Sequence, residues 1–445
     1  VYKRQPLGLG PHGLVSEALL LHMKSPAIHG ALNMIYRYGI TEDEAYAQKV
    51  YPYLRGVADF WEKDLVCRDG VYHVVGDGMH ERTDGNIRDN GVPEDPVNTL
   101  GYLKTFFTWM PRISEALDLD EKKREKWLEI AENLAPYPKG TIREIQENPT
   151  LWKEVDVKLE DLLPEEMLDK EIYYDEGIGG KWSFHFPGNV MQIYPGNAIG
   201  LGSAPEELEV ARNTVQIHAL VENALGELEY RKALEEAEFA DKDNANNLLF
   251  NSNGELENGE AYSNGMESGG VKNPHFYKAG AFNASNLSCL FFTAAVRVGY
   301  APEIIWKEMR DMILNRGIPN GFLKENPHGI EQLNTIPDAI QEMMLQSCEG
   351  IIRIFPVWPR AEHPNAFFRN FRAWGGLEVS AALKDGEVER VSILSHKGHP
   401  CRVENPWPGK SVKVSYEYGR PDEVHFGEYL NIELYKEEHA ELFRI

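Results

Sequence analysis

Along most of this chain apolar residues recur every three or four positions, and only towards the C-terminus does the repeat shorten to two. Leu103, Phe106, Phe107, Met110, Ile113 and Leu117 form the clearest helical stripe. Ile336, Ile340, Met343 and Met344 form another, with Gly350 expected to stop that helix after Cys348-Glu349. Thr41-Glu42-Asp43-Glu44 reads as a capping box opening a helix through Phe60-Trp61, and Ser203-Ala204-Pro205-Glu206 as a second. Further helices are expected at roughly 25–38, 120–135, 207–223, 226–238, 283–298 and 301–314. Serial helices with long loops between them suit a toroid of helix pairs.

Pro356-Val357-Trp358-Pro359 can continue neither a helix nor a central strand, so it reads as a domain exit. Beyond it Gly376–Ala381, Glu387–Ile393 and Ser411–Tyr416 alternate, with Lys384-Asp385-Gly386 as a hairpin turn. The expected division is a helical domain over 1–358 and a small β domain over 359–445. The polar, glycine-rich joins at Gly76–Asp95, Asp175–Gly202 and Asp241–Gly280 are long. Ordering backbone costs ~1–2 kcal/mol per residue, so loops of this length are where a site is sought.

The 445 residues, 42% of them hydrophobic, are enough for a large core plus an accessory domain. A net charge of −24 argues against a nucleic-acid groove or an anionic membrane surface as partner and fits a neutral substrate. Cys67, Cys289, Cys348 and Cys401 lie far apart and contain no C-x-x-C, so neither a zinc ribbon nor a disulfide scaffold is indicated. No run of about eighteen apolar residues reads as a membrane span, and Val1-Tyr2-Lys3-Arg4 reads as an internal start, with more chain expected upstream.

Metal and cofactor motifs are lacking. Asp241-Lys242-Asp243-Asn244 has neither the glycine nor the terminal Glu of a calcium loop, and no H-E-x-x-H, G-x-S-x-G or Walker A sequence occurs. Gly8-Leu9-Gly10-Pro11-His12-Gly13 matches G-x-G-x-x-G, but no apolar strand precedes it, so it reads as a glycine-rich loop. No metal and no cofactor is expected.

The segment Gly329–Val379 carries a resemblance. Its Glu331-Gln332-Leu333-Asn334-Thr335 loop, Glu342-Met343-Met344-Leu345-Gln346-Ser347, Ile354-Phe355-Pro356-Val357-Trp358-Pro359 and Ala373-Trp374-Gly375-Gly376-Leu377-Glu378-Val379 follow the order of motifs in glycoside hydrolase family 95, mainly α-L-fucosidases with some α-L-galactosidases. Helix and strand match closely; the loop differs, with Glu331 where the family has Asp and its Gly-Asn-Phe-Gly lost. Tyr194-Pro195-Gly196 also resembles the end of the family's His-rich loop.

The resemblance implies an (α/α)6 toroid followed by a C-terminal β-sandwich, removal of a terminal α-linked sugar with inversion, a carbohydrate partner and an extracytoplasmic location. By placement, Glu81 in Gly76-Asp77-Gly78-Met79-His80-Glu81 falls at the family's general acid, and Glu331 at the residue that activates water. Two carboxyls, one protonated and one ionised, are what glycosidic hydrolysis requires. Trp182 and His185 are candidates for a sugar-stacking and hydroxyl-binding wall, with Asn334 and His29 as further contacts. The competing readings of these residues are ordinary: Glu81 as a solvated charge or a partner of Arg82 or Arg88, Glu331 as an acid at a helix start, Trp182 as core, and His29 as a structural histidine. Asp338 is a nearby alternative base. The family's paired asparagines have no counterpart here, which keeps open two rivals: a silent glycan-binding protein, and a phosphorylase or lyase on the same toroid.

Overall fold

The computed structural model describes residues 9–10, 13–14, 24–77, 94–147, 159–174, 188–220, 288–316, 319 and 335–445. The chain is a helical region followed by an antiparallel sheet. The expected helix over 226–238 lies outside the described residues.

α1 (Pro26–Thr41) and α2 (Glu44–Asp64) are joined by two residues and pack on each other. The cap between them differs from expectation. Thr41 ends α1 with its hydroxyl on the Arg37 carbonyl, and Asp43 is the residue that accepts from Tyr46 N to start α2. Similarly, Ser203 does not cap the helix over 205–220; its hydroxyl accepts from Gly200 N.

α3 (Val97–Ala116) is the central helix. Val97, Leu100, Tyr102, Leu103, Phe106, Phe107, Met110 and Ile113 bury residues from all round it, as a helix enclosed by neighbours requires. α4 (Glu121–Glu132) packs back on α3 through Trp127 and Ile130. Further along the chain come α5 (Ser288–Arg297), α6 (Pro302–Arg316) and α7 (Thr335–Met344). The two-residue strands Leu9–Gly10 and Gly13–Leu14 pair within the glycine-rich start.

α7 stops at Met344, short of the expected Cys348-Glu349. Leu345–Gln346 (β1) instead pairs with Arg353–Ile354 (β2), and the chain reverses through Gly350, whose φ of 74° suits glycine. Cross-strand pairing replaced the last helical turn.

After Pro356-Val357-Trp358-Pro359 the strands are β3 (Ala366–Ala373), β4 (Leu377–Lys384), β5 (Glu387–Ser395), β6 (Cys401–Glu404), β7 (Val412–Tyr416), β8 (Glu423–His425), β9 (Tyr429–Ile432) and β10 (Glu438–Arg444). Six form one antiparallel sheet in the order β8-β7-β10-β5-β4-β3, and β6 pairs with β9 separately. The β4–β5 turn has positive φ at Asp385 and Gly386, the conformation of a two-residue hairpin. Buried Val379, Val391, Val414 and Leu442 on the large sheet share a core with Val403 and Ile432 of the small pair.

That core continues without a break into the helical region, through Phe355, Val357 and Trp358 to Met343, Phe292 and Val190. A second core holds α1 to α4 together. Among the described residues no helix is long and apolar enough to cross a membrane.

Candidate functional site

Between the two cores runs a segment that makes close backbone contact with the helices. Gly188–Val190 forms one 3-10 turn, and the chain continues through a cis Tyr194–Pro195 bond to Gly196. Glycine on α3 permits the approach: a Cβ on Gly101 would lie 2.6 Å from both Cα and Cβ of Gln192. The Thr105 hydroxyl donates to the Gly196 carbonyl, and the Tyr36 hydroxyl of α1 donates to the Pro195 carbonyl. The segment is thus a floor gripped from two helices.

Polar side chains converge on this floor. The Tyr194 hydroxyl donates to Asp338 Oδ2 in the first turn of α7. The Arg297 guanidinium of α5 lies 4.9 Å from the Tyr194 ring centroid, and its Nη2 donates to Glu342 Oε1 at 2.7 Å. Asn189 donates to the Tyr173 carbonyl and meets His218 Nε2 on its other side. Burial raises the hydroxyl pKa values of Tyr36, Tyr102 and Tyr194, in Tyr194 with help from the Asp338 charge, so all three remain protonated donors.

Several buried polar atoms here have no hydrogen-bond partner among the described residues: Tyr102 Oη, Gln192 Oε1, Thr293 Oγ1, Nε and Nη1 of Arg297, and Glu342 Oε2. Leaving such groups unpaired costs ~1–3 kcal/mol each, so a concentration of them marks a place built for water or a polar ligand.

At the N-terminal end of α3, Asp77 is fully buried. Its carboxylate accepts from Lys24 N at 2.5 Å and from the Thr99 hydroxyl at 2.6 Å. Burial outweighs those bonds and lifts its pKa to about 6. Nearby, His29 in the first turn of α1 stacks on Tyr102 with ring centroids 5.3 Å apart and planes 12° from parallel. His29 keeps an exposed outer edge, while the protein packed around its other side lowers its pKa.

Of the residues singled out in the sequence, His29 is therefore beside this polar interior. Glu81, Trp182, His185, Glu331 and Asn334 lie outside the described residues. Sequence reasoning passed over Asp77, Tyr36, Tyr102, Arg297 and Glu342, and held Asp338 only as an alternative. The signal for Asp77 was present, an acid between two glycines at the mouth of a long polar loop.

Among the described residues one trio has the spacing to hold a metal ion: His73, Glu94 and Asp95 bring ligand atoms within 4.8 Å of one another. Its oxygens are already engaged. Arg68 binds Glu94 in bidentate fashion at 2.9 and 3.0 Å, and Asp95 accepts from Val74 N and meets His73 Nδ1 at 2.7 Å. The trio reads as a pin that closes residues 66–77 onto the start of α3.

No family model matches the sequence, and no curated protein matches it. Among solved structures the chain is similar to a glycoside hydrolase family 127 β-L-arabinofuranosidase from Geobacillus stearothermophilus T6, with a TM-score of 0.24 and 8% identity over 94% of this chain and 72% of that one. A likeness at that TM-score carries no argument, and it lends no support to family 95 in particular.

Proposed function

We propose that this chain is a glycoside hydrolase on an (α/α)6 toroid, removing a terminal α-linked sugar of the L-fucose or L-galactose kind from an oligo- or polysaccharide outside the cytoplasm. Glu81 protonates the leaving glycosidic oxygen. Glu331 takes a proton from a water whose oxygen bonds to the anomeric carbon from the opposite face, which inverts it; such pairs stand ~6.5–9.5 Å apart. Trp182, His185, Asn334 and His29 contact the sugar. Two carboxyls and a water balance the reaction, so no cofactor is invoked.

One observation supports the reading: the chain flanking both acid-bearing loops ties into the same buried floor. Asp77 bonds to α3, which grips Gln192 and Gly196, and Asp338 bonds to Tyr194. Glu81 follows Asp77 by four residues and Glu331 precedes Thr335 by four, a reach of at most ~14 Å of extended chain.

The test is a panel of aryl α- and β-glycosides, with Glu81→Gln and Glu331→Gln alongside. The expected result is turnover of one α-glycoside, loss by ~10²–10⁴-fold in each variant, and a β-anomer as first product by NMR. Turnover that survives either substitution refutes the assignment. Binding of glycans with no turnover favours the silent binding protein, and release that depends on inorganic phosphate favours the phosphorylase.

A further inference from the structure

Where the helical region meets the sheet, the structure forms a half-open cavity of about 420 Å³. Its volume falls in the ~300–1,000 Å³ range of small-ligand sites. One wall comes from α3 and the turn at Asn197, the other from the β1–β2 hairpin, Trp374 and Arg402. It lies toward the other end of α3 from Asp77 and meets the floor at Thr105 and Asn197. Thr99, which bonds Asp77, and Arg112, which lines this cavity, are thirteen residues apart on α3, or ~20 Å along the axis.

The charge in this cavity runs against that of the molecule. The chain carries −24 overall, yet Lys104, Arg112 and Arg402 all line the space. None of the three makes an ion pair among the described residues. Each instead lies over an aromatic ring: Arg112 over Trp109 at 4.9 Å, Arg402 over Tyr429 at 4.1 Å and Lys104 over Tyr137 at 5.9 Å. Such contacts hold a cation in place without neutralising it. Of the two carboxylates at the cavity, Glu349 is bound by Arg353 and Gly202 N, while Glu42 Oε2 lies 2.9 Å from His399 Nε2 and makes no hydrogen bond among the described residues, so the three cations outnumber the two acids.

The rest of the lining is amphipathic. Trp109 and Trp374 sit with ring centroids 4.9 Å apart. Asn197 Oδ1 is buried there without a hydrogen-bond partner among the described residues. Indoles suit the apolar face of a pyranose, an amide oxygen suits its hydroxyl, and guanidinium groups suit a planar carboxylate.

We propose that this seam cavity binds a uronic-acid unit of an acidic glycan. Ligand binding here does not depend on the hydrolase reading, since none of the three cations belongs to the proposed acid and base machinery.

Isothermal titration of the full chain with digalacturonate, with neutral galactobiose and with inorganic phosphate tests it, together with Arg112→Gln and Arg402→Gln, singly and combined. Both side chains are exposed, and unchanged thermal melting checks that the variants fold. The expected result is saturable binding of digalacturonate, at least tenfold weaker binding of galactobiose, at least tenfold loss in the double variant, and no loss in Glu81→Gln. Equal affinity for galactobiose overturns the proposal, as does a double variant that binds like the parent. Displacement by phosphate at concentrations equal to those of digalacturonate reduces the cavity to a simple anion site and also overturns it. Loss of binding in Glu81→Gln ties the ligand to the proposed acid instead of the cavity cations, with the same consequence.

Discussion

Replacing Gly101 by alanine measures how tightly α3 is pressed onto the floor beneath it. In an exposed helix this change is favourable by ~0.8–1.0 kcal/mol, because alanine loses less backbone entropy. At position 101 the new methyl would sit 2.6 Å from Cα and Cβ of Gln192, whereas carbon atoms rest at ~3.5–4.0 Å. About an ångström of separation is needed, and neither neighbour is the free end of a side chain. Moving the floor strains the Thr105 and Tyr36 bonds to Gly196 and Pro195 as well. Overpacking of this kind costs ~1–3 kcal/mol, and a backbone neighbour puts it in the upper half. The expected net effect is a loss of ~1–2 kcal/mol after the helix gain is subtracted. Gly56 on α2 supplies the control: it is exposed, a methyl there meets nothing within 4 Å, and Gly56→Ala should gain up to ~1 kcal/mol. Urea unfolding of both variants reads the two signs. If Gly101→Ala is as stable as the parent while Gly56→Ala rises, the close approach of helix and floor is wrong.

Two further outcomes follow from charged groups. The fold raises the Asp77 carboxyl to about 6, above the ~3.9 of an unfolded aspartate, so its contribution to stability is full below pH ~4 and is lost as pH rises through ~6. That amounts to ~2–3 kcal/mol at ~1.4 kcal/mol per unit; Asp77→Asn should lack this slope, and a parent-minus-variant difference that stays constant from pH 4 to 7 contradicts it. Arg353 is buried between Glu349 and the half-exposed Glu404. Arg353→Met leaves both carboxylates unneutralised and should cost ~1–3 kcal/mol, discounted from the ~3–5 of a fully buried pair; urea unfolding showing a loss under about 0.5 kcal/mol would mean that the triad is only a surface contact.

Legibility in the sequence followed the range of the interactions. Leu103, Phe106, Phe107, Met110 and Ile113 announced α3 because one helix face records its own burial, and all five are buried. The Asp385-Gly386 turn was equally local. Leu345-Gln346 was misread as helix because its pairing partner, Arg353-Ile354, declares itself only once the chain has turned at Gly350. Thr41 was misread as a cap because Thr, Asp and Glu crowd one stretch, and only geometry shows that Asp43 takes the bond from Tyr46. The polar interior was least legible. Tyr36, Tyr194, Arg297, Asp338 and Glu342 are spread over three hundred residues, and each alone reads as an ordinary core aromatic or helix-surface charge.

The unbroken core that passes through Phe355, Val357 and Trp358 bears on how such a chain can be inherited or rebuilt. A sheet that shares its interior with the preceding helices is not an interchangeable part. Grafting another protein's C-terminal sheet onto these helices would have to bring matching partners for Met343, Phe292 and Val190, or leave an oily wound where the graft was made.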